Sequence, residues 1–128
     1  MQKNSLSNNT IFSNAIIDGK ENFGWFIGHF IKPENSPRST NAIEVKWASY
    51  VAGDKRTNWS QNVTATTISV LFRGRFHVIF SDKEYIMTKE GDYVLTPPGV
   101  THSWYAEQDT IILTIRWPSS PGDSVQSI

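Results

Sequence analysis

The chain has 128 residues, no cysteine, a formal net charge of zero and a pI near 6.8. This length suits one domain that buries roughly two-thirds of its unfolded surface. The balanced charge gives no electrostatic reason to bind nucleic acid or an anionic membrane, and the missing cysteines exclude disulfides, thiolate metal sites and a cysteine nucleophile.

Residues 1–10 are polar and poor in apolar side chains, so they read as an arm that frays or orders on a partner. The N-terminus has no apolar signal core, and the longest apolar runs, such as Trp25-Phe26-Ile27, are far too short to cross a bilayer. A cytoplasmic protein is therefore expected, and the Asn-x-Ser/Thr sequons at Asn8, Asn58 and Asn62 carry no meaning without secretion. The domain is expected to span residues 11–118. After the turn at Asp18-Gly19, residues 24–31 look like a strand, with Gly28 marking a bulge or a close backbone approach. His29 in that strand sits among apolar neighbours and reads as structural.

Residues 32–40 form a surface loop by composition, with Pro33, Asn35, Ser36 and Pro37. The following strand, Ile43 to Tyr50, alternates: Ile43, Val45 and Trp47 lie on one face, Glu44 and Lys46 on the other. The charged face lies in water, where facing charges are ordinary, or inside a barrel lumen, where it would supply ligand groups. Past Gly74, the strand Arg75 to Phe80 places Phe76, Val78 and Phe80 toward the core and His77 outward. Ser81-Asp82-Lys83 turns the chain into Glu84 to Thr88.

Tyr93 to Thr96 is β-prone, bounded by Gly91-Asp92 and Pro97-Pro98-Gly99. Proline fixes φ and Gly99 supplies a positive φ, so the corner is preset and aims His102 at the start of the next strand. His102 and Trp104 share a face. Thr110 to Trp117 is a nearly unbroken apolar strand, as expected if it is covered on both sides, with Arg116 as the exception. Residues 119–128 read as a loose tail. The whole is all-β, about eight to ten short strands in a barrel or double-sheet jelly roll.

The residues Gly91, Pro97, Gly99 and His102 fit the second motif of the cupin superfamily, G-x5-P-x-G-x2-H-x3-N, with Ala106 where the family has Asn. The chain thus resembles a small single-domain cupin. That resemblance implies a double-stranded β-helix with His102 pointing into its mouth, and frequent pairing as a homodimer. The family's first motif, G-x5-H-x-H-x3-4-E-x6-G, supplies two histidines and a glutamate to a metal. Counting from Gly53 puts the histidine positions at Trp59 and Gln61, and counting back from Gly74 puts the glutamate at Thr67.

An indole, an amide and a hydroxyl cannot replace imidazole and carboxylate around a divalent transition ion. His29 and His77 lack the paired spacing to substitute, so no metal cofactor is expected. The candidate lumen residues are His102, Trp104, Trp59, Gln61 and Thr67, with Arg56 and Arg116 near the mouth. Such a lumen suits a small organic molecule with an acidic or polar group. His102 would be its general acid or base, in isomerase, epimerase or lyase chemistry beside a carbonyl. The other readings are a metal-dependent cupin oxygenase or isomerase with altered ligands, and a non-catalytic sensor or assembly module whose tryptophans plug the barrel.

Overall fold

The computed structural model describes residues 9–126. The N-terminal arm up to residue 8 and the last two residues lie outside that range. Among the described residues ten strands make two five-stranded antiparallel sheets. In the first the order is β1 (Trp25–Ile27), β2 (Glu44–Tyr50), β9 (Thr110–Trp117), β4 (Thr66–Arg73) and β7 (Tyr93–Thr96). In the second it is β10 (Ser124–Gln126), β3 (Ser60–Asn62), β8 (His102–Ala106), β5 (Phe76–Phe80) and β6 (Glu84–Met87). The expected jelly roll is present, preceded by one short helix, α1 (Ala15–Asp18), capped by the Asn14 side chain. Among the described residues no helix is long and apolar enough to cross a membrane.

Register decides which residues enter the lumen. Across the first sheet, Glu44, Arg116, Thr67 and Thr96 pair in succession, and so do Lys46, Thr114, Ser69 and Val94. Both rows face inward. The alternation in β2 is as the sequence indicates, but its charged face is in the lumen, which corrects the solvated reading. The apolar run in β9 likewise comes from its outer face, where two rows without charge cross the sheet: Val45, Ile115, Ile68, Leu95 and Trp47, Leu113, Val70, Tyr93. Its inner face is Thr110, Ile112, Thr114 and Arg116.

The core lies at one end of the barrel. Leu71, Phe76, Val78, Met87, Ala106 and Ile112 pack there, with Tyr50, Val94 and Trp104 against them. The lumen is therefore apolar at its closed end and polar at the other. Gly74 passes close to the β9 start at φ +114°, and an added Cβ would meet the Asp109 carbonyl oxygen at 2.5 Å and also the Thr110 hydroxyl. Gly91 has a similar φ of +92° but nothing within 4 Å. Gly91→Ala should then lose only the strain of positive φ, about 1 kcal/mol, whereas Gly74→Ala should lose about 3 kcal/mol or more, as read by urea unfolding. Equal losses would show that the close approach is unimportant.

Residues 119–126 are not the loose tail expected from their composition. The β10 strand pairs with β3, and Asp123 accepts hydrogen bonds from the Thr64 and Ala65 amides at 2.8 and 3.0 Å and from the Thr64 hydroxyl at 2.6 Å. Burial raises its pKa, but these donors outweigh that and hold the carboxyl below its ordinary range. Ser119 is buried and donates to Glu44 at 2.8 Å.

Candidate functional site

The Pro97-Pro98-Gly99 corner does what its residue types predict. Gly99 adopts φ +79°, and its amide donates to the Asn62 carbonyl at 2.7 Å, fixing the corner to β3. The chain then enters β8 with His102 and Trp104 in the lumen and Ser103 on the other face, its hydroxyl donating to the Arg56 carbonyl at 3.1 Å. His102 Nδ1 lies 3.1 Å from the Val100 carbonyl oxygen. A carbonyl only accepts, so Nδ1 carries the proton and Nε2 keeps its lone pair. Burial lowers the His102 pKa; the Val100 bond opposes this, while the Arg56 and Arg116 charges add to it. The ring is neutral near pH 7, as a proton acceptor requires.

The first-motif positions need a correction in β3. Ser60 pairs directly with His102 and shares its face, and Ser60 and Asn62 are both buried. Trp59 is 38% exposed, and Gln61 lies on the opposite face from Ser60. Neither lines the lumen. Counting from Gly53 is off by one residue because the loop after it is one longer than the motif. Counting back from Gly74 through Thr67 with a four-residue gap gives Asn62 and Ser60, so the signal is in the sequence at its other end.

Thr67 is where it was expected, on β4, donating to Asn62 Oδ1 at 3.3 Å. Arg56 donates to the Ser60 hydroxyl from the loop ahead of β3. The four motif positions are thus Ser60, Asn62, Thr67 and His102: two hydroxyls, an amide and one imidazole. This donor set does not fit a divalent transition metal, which needs several imidazole or carboxylate ligands converging. Among the described residues no group of three or more His, Asp or Glu side chains could hold one.

Around these positions lies a cavity of about 50 Å³, lined by Lys46, Arg56, Arg116, His102, Thr67 and Trp25 at its polar end. Trp25 and Lys46 are not among the sequence candidates. Lys46 Nζ donates to the Tyr50 hydroxyl at 3.1 Å and sits 5.7 Å from the centre of the Trp25 ring. Arg116 also lies over that indole, 4.6 Å from its ring centroid, and donates to Glu44 at 3.2 Å. Burial, then Arg116 and Arg56, push the Lys46 ammonium down to about 8. Burial pushes the Tyr50 phenol up to about 12. Arg56 is lowered by burial and by Arg116.

Trp104 is in the lumen as expected, but deep in it, stacked with Tyr50 and Phe76 at centroid distances of 4.4 and 5.3 Å. These rings fill the closed half. Of the other histidines, His29 Nδ1 bonds to Ser119 at 2.7 Å and is structural. His77 is outside the lumen, stacked on Tyr105 at 4.0 Å and held between Glu84 and Glu107. His77 and Arg75 together hold the Glu107 carboxyl below its ordinary range.

No family model matches the sequence, and no curated protein matches it. Solved structures do. A Streptomyces protein, PAC13, in a single-substitution form with uridine, superposes with a TM-score of 0.62 at 11% identity over 73% of this chain and 74% of its own. A protein with a double-stranded β-helix domain from Klebsiella pneumoniae gives 0.61 at 15% identity, covering 70% and 77%. An RmlC-like cupin from Shewanella frigidimarina gives 0.55 at 18% identity, covering 63% and 70%.

Proposed function

Starting from a chain that has the cupin double-stranded β-helix fold, we propose that it binds a small organic molecule in the polar half of its lumen without a metal, and that His102 moves a proton on that molecule. The observation that carries this reading is the state of His102: half-buried, neutral, its Nδ1 proton committed to Val100 and its Nε2 lone pair free to accept. The structure of PAC13 with uridine supports it only in showing that this fold holds a small organic molecule in another protein.

A base in such a position takes a proton from a carbon beside a carbonyl, and negative charge then builds on the carbonyl oxygen. Lys46, Arg56 and Arg116 line the same cavity and stabilise that charge in a site of low dielectric. His102 returns the proton to the neighbouring carbon to complete an isomerisation, or Lys46 supplies one, to the opposite face of the same carbon in an epimerisation or to a leaving group in an elimination. The experiment is deuterium wash-in from D2O into a panel of oxo and hydroxy acids, followed by proton NMR. Wild type should exchange one class of compound, and His102→Asn should slow exchange by about 10²- to 10⁴-fold with stability unchanged. Stoichiometric iron, manganese, nickel or zinc in the purified protein, removed by chelator with the activity, would overturn it.

One observation favours a second reading. The stack of Tyr50, Phe76 and Trp104 leaves only about 50 Å³ of cavity, which suits a ligand held without turnover, as in a sensor. In that case His102→Asn weakens binding but no compound exchanges deuterium.

A further inference from the structure

We infer that the lumen is built for an anion carrying two negative charges, through carboxylate or phosphate oxygens. This rests on the reading of the lumen as a ligand site and names the chemical class it takes. Three cations from separate elements converge on one small cavity: Lys46 from β2, Arg56 from the loop before β3, and Arg116 from β9. Of these three, only Arg116 has a carboxylate partner among the described residues, Glu44. Three positive charges less one negative leave two uncompensated.

Withdrawing charges from water is costly unless they are paired. The protein itself satisfies these three cations incompletely. Lys46 has the Tyr50 hydroxyl and the Trp25 face, Arg56 has Ser60, and both partners are neutral. Arg116 uses Nη1 on Glu44, while its Nε is buried with no partner among the described residues. Trp25 offers its ring to both Arg116 and Lys46 without neutralising either. A cavity of about 50 Å³ takes a few water-sized groups, which is the size of an acid head group.

The alternative occupant, an uncharged polyol, would leave both charges uncompensated and would use hydroxyl acceptors where the walls already supply Thr67, Ser69, Thr96 and Thr114. A dianion answers the charge excess and gives Arg116 Nε an acceptor. It would also restore the Lys46 ammonium, now depressed by burial and by Arg116 and Arg56. Of the other groups facing it, Tyr50 stays a phenol and His102 a neutral ring near neutral pH, and Glu44 is bonded to Arg116.

The test is calorimetric titration of the full chain with malonate and with inorganic phosphate, at constant ionic strength, against glycerol and glucose. Binding of malonate or phosphate to wild type is expected, weakened at least tenfold in Lys46→Met and in Arg56→Gln, with proton uptake on binding at pH 8. Two variants guard against misfolding of one. Anion binding unchanged in both would place it on the surface and overturn the inference. Glycerol or glucose binding as tightly as malonate would also overturn it while leaving the lumen as a ligand site. No response to any of these compounds, with lumen indole fluorescence unchanged, would count against both this inference and the ligand-binding reading beneath it.

Discussion

Glu44→Gln should destabilise the protein by about 3–5 kcal/mol in urea unfolding at pH 7, the range for removing one partner of a buried ion pair. Glu44 and Arg116 are 11% and 16% exposed, and the carboxylate also accepts from Ser119 at 2.8 Å with His29 behind it at 3.7 Å. Without it the lumen holds Lys46, Arg56 and Arg116 with no anion bonded to any of them. Adding Lys46→Met to Glu44→Gln should restore part of the loss, because the two groups share one electrostatic environment. A cost below about 1 kcal/mol would mean that water already screens the cluster.

The second large effect is a stability that rises with alkali. Folding depresses Lys46 from 10.5 to about 8. Between those values the unfolded chain holds a proton that the folded chain has lost, so the native state gains stability as pH rises. Tyr50 acts in the opposite sense: its phenol is raised to about 12, so above pH 10 the folded state keeps a proton that the unfolded one releases, and stability declines. The net expectation is a gain of about 2–3 kcal/mol between pH 8 and 10, followed by a plateau and a fall. Lys46→Met should be more stable than wild type at pH 7 and should lack the rise. A wild-type profile flat from pH 8 to 10 would show that the ammonium is solvated. Bound dianion should also abolish the rise, since it restores the proton.

Much of the fold can be read from local chemistry. The corner at Pro97 and Gly99, the alternation in β2 and β5, and the spacing from Gly91 to His102 are steric and periodic signals that act within a few residues. The rest needs long-range information. Whether Glu44 and Lys46 face water or a lumen depends on pairing with Arg116 some seventy residues away, and periodicity is blind to that choice. Trp59 and Gln61 are displaced by one position because a single extra loop residue inverts every side chain of a strand. Trp25 carries no local signal because its role, a plate beneath two cations, appears only when β1 meets β2 and β9. The segment after Trp117 is ordered against its composition because Asp123 acts through backbone amides some sixty residues earlier.

That aspartate has a consequence for how the chain can vary. Asn62 Nδ2 donates to Asp123 at 3.3 Å while its Oδ1 accepts from Thr67, so a carboxylate near the C-terminus orients an amide that orients a hydroxyl in the cavity wall. The β10 segment, paired along β3, is thus tied to the lumen wall. Changes to its composition reach the lumen through two hydrogen bonds, and the two are constrained to drift together.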